Sequence, residues 1–143
     1  MKLVAFVFTA AALAAPARAL ADPTPNAVTE WAGIVQQAIH NAGTPRSAGT
    51  SLILHTMVHL AVYDAVVAIE GGSRPYASRL SAPAGTDVRA AVATAAYLTV
   101  RPRIVPANLA ALDAAYSTYM AGLPAAPATD DGVAVGRQAA DAI

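Results

Sequence analysis

Between Leu52 and Ile69 the chain reads LILHTMVHLAVYDAVVAI, and this run limits the possible fold more than any other stretch. Apolar side chains fall on nearly every angle of a helical wheel, from Leu52, Ile53 and Leu54 through Met57, Val58, Leu60 and Val62 to Val66, Val67 and Ile69. A helix that is apolar all round is one that other elements enclose. The pattern therefore predicts the central helix of a bundle, over about residues 45–70, ended by Gly71 and Gly72. The 18 residues from Leu52 to Ile69 are about long enough to span a bilayer. Two histidines and an aspartate inside them would be costly in hydrocarbon, so the expectation is a buried core helix and not a membrane span.

The remaining segments point the same way. Of 143 residues, 56% are hydrophobic and only 13% charged, and the ten prolines stand between apolar runs instead of within them. No stretch alternates as a half-buried strand would, so the fold class expected is all-α, a bundle of about five helices. A first helix starts near Asn26 with Val28, Trp31, Val35 and Ile39 at helical spacing and Gly43 as its stop. Thr44 and Pro45 read as a cap and first turn of the central helix, and so short a connection makes the two helices antiparallel. After a Gly-, Ser- and Pro-rich loop from Gly71 to Thr86, Thr86 and Asp87 cap a third helix that Arg101-Pro102-Arg103 ends. Pro106 opens a fourth, which carries Leu109, Leu112, Tyr116, Tyr119 and Leu123; Thr129, Asp130 and Asp131 give a fifth an acidic start. That last helix runs to Ile143 with Asp141 opposing the helix dipole in its final turn, the pattern expected of an incomplete part of a larger helical bundle.

Residues 1–21 read as a signal peptide, and residues 22–143 as the helical domain. Lys2 provides the positive start, Leu3 to Ala15 the apolar core, and Ala19-Leu20-Ala21 the small residues of a cleavage site. The expected location is exported, periplasmic or extracellular. Cleavage removes Lys2, the only lysine, and leaves seven arginines against nine acidic residues. These arginines are scattered singly, which excludes a basic patch for nucleic acid and gives no reason to expect a membrane as partner once the signal is cleaved. There is no cysteine, so burial alone must hold the fold.

Chemistry is sought first on the central helix. His55 and His59 are four apart and share a face with Tyr63, and Asp64 lies one turn further on. These three, His55, His59 and Asp64, are the candidate metal ligands, against the plainer reading of hydrogen-bonded helix residues. No glutamate falls between the histidines as it does in a zincin motif. Asp64 has two further readings: a general base, or a buried carboxylate tied to a helix N-terminus or to an arginine, Arg46, Arg74 or Arg101.

Five phrases, taken in order, resemble the N-terminal helical region of the vanadium-dependent haloperoxidase relatives in the phosphatidic acid phosphatase type 2 superfamily. They are AVTEW (Ala27 to Trp31), MVHLAVYDAVVAI (Met57 to Ile69), RPY (Arg74 to Tyr76), LDAAY (Leu112 to Tyr116) and DGVAVGRQAADAI (Asp131 to Ile143). The chain departs from the pattern at Val67, where many relatives carry asparagine. The resemblance implies vanadate or phosphate as the cofactor of a full-length relative, held by a lysine, an Arg-Pro pair and a Ser-Gly-His segment. No such site residue carries over, because Arg101-Pro102 is preceded by no lysine after Lys2 and no Ser-Gly-His occurs. What is implied is an inactive N-terminal scaffold whose partner is a missing C-terminal catalytic bundle or a second copy through self-association. The alternative class is a self-contained exported binding module with a ligand or metal near His55, His59 and Asp64.

Overall fold

The computed structural model describes residues 26–40 and 46–143. The signal-peptide reading of residues 1–21 and the turn expected at Gly43 to Pro45 lie outside the described residues. Within them the protein is all-helical: α1 (Ala27–His40), α2 (Ala48–Glu70), α3 (Val88–Val100), α4 (Pro106–Ala121) and α5 (Pro127–Asp141), with a three-residue 3-10 turn Arg101–Arg103 between α3 and α4.

Local chemistry sets the helix ends. Asn26 opens α1, its side-chain oxygen accepting from the Thr29 N–H at 3.0 Å. Ser47 caps α2 by accepting from the Thr50 N–H, so this helix begins at Ala48 and not at about 45. A serine two residues beyond Pro45 offers the first free N–H groups a better acceptor than the Thr-Pro pair in view of the sequence alone. Asp87 caps α3 with bonds from the N–H groups of Arg89 and Ala90. Pro106 and Pro127 occupy the first turns of α4 and α5, where their missing N–H is no loss. α5 thus starts two residues ahead of the expected Thr129, whose hydroxyl instead donates to the Pro124 carbonyl.

The most enclosed helix is α3, not α2. Nine of the 13 residues of α3 are buried but only seven of the 23 in α2, and α3 touches all four other helices. The reason is size. α3 is built from Ala, Val and Thr, a thin cylinder around which neighbours can close on every side. α5 approaches it most closely through Gly132 and Gly136, one turn apart. A Cβ added at either glycine would lie 2.8 Å from the Cβ of Ala90 or of Thr94, closer than real Cβ atoms come. Hydropathy of larger side chains marked α2 as the centre, but its Leu52 and Ile53 remain 68% and 63% exposed. By length and composition α2 is also apolar enough to cross a membrane, with 33% of its most apolar window buried.

α1 and α2 run antiparallel, as expected from their short connection. His40 at the end of α1 stacks on His55 near the start of α2, while the start of α1 and the end of α2 line one cleft. Trp31 is fully buried at the junction of α1 and α4, with Tyr116 and Tyr119 edge-on to it at 6.0 and 5.5 Å. Two polar clips fasten the ends: the buried Asn108 amide donates to the Ala38 carbonyl at 2.6 Å, and the Arg46 guanidinium donates to the Arg103 carbonyl at 2.8 Å.

Candidate functional site

The residues singled out in the sequence do not converge. His55 and His59 sit one turn apart in the first half of α2, His55 half-buried and His59 exposed. Asp64 faces elsewhere and is 1% exposed. Its carboxylate accepts three backbone N–H groups from the following loop: Tyr76 at 2.5 Å, Ala77 at 2.8 Å and Ser78 at 3.2 Å. The Tyr63 hydroxyl adds a bond to the Arg74 carbonyl at 2.9 Å. Asp64 is therefore the post around which the loop from Gly71 is wound, and among the described residues its oxygens are bonded by three amides and by no arginine. Gly71 and Gly72, both at positive φ, supply the sharp departure that brings the loop back to it.

The true neighbour of His55 is His40 of α1, with ring centroids 5.8 Å apart and planes 25° from parallel. Burial holds the His55 imidazole below its ordinary value, and the nearby His40 and then His59 lower it further. Among the described residues no three of His, Cys, Asp and Glu gather closely enough to hold a metal. His40 was missed in the sequence because its pairing with His55 depends on the packing of two helices. The available signal was the short connection that folds them back to back.

Arg101, the arginine of the Arg-Pro pair, is likewise committed. Its Nε and Nη2 donate to the two carboxylate oxygens of Asp113 at 2.8 and 2.9 Å, a bidentate pair. Tyr97 donates its hydroxyl to the same carboxylate and stacks on Tyr116 at 4.1 Å, and the Tyr116 and Thr94 hydroxyls bond at 2.9 Å. The bonds from Arg101 and Tyr97 keep the Asp113 carboxyl below the usual carboxylate range; burial, with the bond to Asp113 second, pushes the Tyr97 phenol up. This network ties α3 to α4 and occupies the fork of Arg101.

Concave surface lies elsewhere. A cleft of about 790 Å³ opens where α1 and α3 begin and α2 and α4 end. Its floor is apolar, with Val66 and Val92 among its residues, and Tyr119 forms one wall. Burial raises the Tyr119 phenol, and the neighbouring Glu30 carboxylate raises it further. A smaller cleft of about 310 Å³ lies between α2 and the loop carrying Arg74 and Arg79. Of the five tyrosines, Tyr63 and Tyr76 are exposed and Tyr97, Tyr116 and Tyr119 half-buried. Comparison with family models, curated proteins and solved structures finds no match for this chain.

Proposed function

We propose that the chain is the N-terminal helical scaffold of an exported protein resembling the vanadium-dependent haloperoxidases and the acid phosphatases, and that the oxyanion chemistry belongs to a further helical bundle which docks on α2. The observation that supports this reading is the outward face of α2. Leu52, Ile53 and Tyr63 are exposed along it, and Leu60 and Val67 are half-buried. At 1.5 Å per residue the stripe from Leu52 to Val67 is about 20 Å long. A stripe of that kind is the ordinary mark of a surface meant to be covered. The five phrases of the resemblance fall on the helices α1, α2, α4 and α5 and on the Asp64-bound loop, that is, on packing elements throughout. Vanadate or phosphate would belong to the docked bundle.

The alternative, a self-contained binding module using His55, His59 and Asp64, has less support, since Asp64 lies apart from the histidines and is spent on the loop amides. Three results test the scaffold reading. The purified chain should oxidise no halide with peroxide and vanadate and hydrolyse no phosphate ester. Turnover that disappears in Arg101→Ala would overturn it. The chain should self-associate on a sizing column with light scattering, and a Leu52→Glu, Ile53→Lys double variant should run as a monomer. Coding sequence beyond Ile143 should continue into a lysine, an Arg-Pro pair and a Ser-Gly-His segment; an immediate stop codon counts against the proposal.

A further inference from the structure

The cleft of about 790 Å³ combines an apolar floor with two acidic side chains on its rim. Val66 comes from α2, Val92 from α3 and Leu123 from the turn after α4, and Tyr119 closes a side. About 790 Å³ falls within the range of small-molecule sites. On the rim, Glu30 comes from the first turn of α1 and Glu70 is the last residue of α2. Neither is ion-paired among the described residues. Glu70 also stands where the α2 dipole is negative, with no basic residue in that last turn, while the positive ends of α1 and α3, which border the cleft too, carry Glu30 and the Asp87 cap. Among the described residues Arg89 is the only cationic side chain lining the cleft, and Asp87 holds it by two bonds of 3.1 and 2.7 Å. α4 contributes Thr118, Tyr119 and the chain after it, with no charge.

We infer that this cleft binds a small organic cation with an apolar body, the body lying on Val66, Val92 and Leu123 and the cationic head between Glu30 and Glu70. An anionic ligand of the same shape would face both glutamates and would have to share Arg89 with Asp87, which already takes its Nε and one Nη. A neutral one would leave the rim unused. The Tyr119 ring supplies an aromatic wall of the kind that alkylammonium groups favour.

The test is calorimetric titration of the full chain with three probes of one shape: 4-phenylbutyl-trimethylammonium, 4-phenylbutanol and 4-phenylbutyrate. Affinity should fall in that order, and added salt should narrow the gap between the first two. Glu30→Gln and Glu70→Gln, both at exposed positions, should each weaken the cation up to about fivefold and leave the alcohol unchanged. Thr118→Trp, at an exposed wall position, should block all three probes with the thermal midpoint preserved. Equal affinity for the three probes, tighter binding of the carboxylate, no binding of the cation, or a cation affinity indifferent to both glutamine variants would each overturn the assignment.

Discussion

Asp64 shows how one side chain can organise a long loop. Three N–H groups converge on it, so Asp64→Ala leaves them without their acceptor and should cost about 2 to 4 kcal/mol in urea unfolding. The same variant should be cut faster by trypsin after Arg79, since the loop that holds that bond loses its post. His55 makes a second prediction, for acid. Its folded-state value lies below the ordinary 6.5, so as pH falls the unfolded chain takes up a proton before the folded one does. Stability is then fully present above about pH 6.5, declines as pH falls through that value, and levels off once the folded form is protonated too. Replacing His55 by Gln should flatten the difference in urea midpoint between about pH 8 and about pH 5. The sequence showed that Asp64 and His55 were unusual, because a carboxylate and an imidazole interrupt an apolar run. It did not show their partners: three loop amides have no residue signature, and His40 meets His55 only through packing.

Among the elements, most boundaries were legible, the starts of α2 and α5 being off by two or three residues, and the centre was not. Asn26, Asp87, Pro106 and Gly122 each act through local rules of capping and φ, which a single sequence displays. Centrality depends on how near neighbours can come, and α3 wins it with small side chains that a hydropathy reading undervalues. Gly132 and Gly136 were unremarked in the sequence for the same reason, as their role is the absence of a side chain. In an open helix Gly→Ala gains about 1 kcal/mol. At Gly136 the new methyl would press on Thr94 and on the α3 backbone, so Gly136→Ala should instead lose about 1 to 3 kcal/mol, with Gly132→Ala behaving alike. Ala95→Asp, in the fully buried middle of α3, should prevent folding or cost several kcal/mol. Leu60→Asp, half-buried on α2, should be tolerated far better, the reverse of what a central α2 requires.

For the molecule as a whole, burial is uneven, and local stability should follow it. Amide exchange should be slowest in α3 and the α5 face packed on it, and faster from Ala48 to Met57, where α2 shows most of its side chains to solvent. If α2 exchanges as slowly as α3 in a monomeric sample, the order of enclosure drawn from the packing is wrong. The large cleft belongs to this scale, and that is why the sequence held no sign of it: Glu30, Glu70, Arg89 and Tyr119 come from four helices and share no motif. The burial of Trp31 has a spectroscopic consequence. It is the chain's one tryptophan, fully enclosed, and its indole N–H has no partner among the described residues. Its emission should therefore lie well to the blue, fed by energy transfer from Tyr116 and Tyr119, whose rings meet it edge-on. Any loosening of α1 from α4 would redden that band and cut the transfer, so the protein carries its own optical gauge of the joint between the two helices.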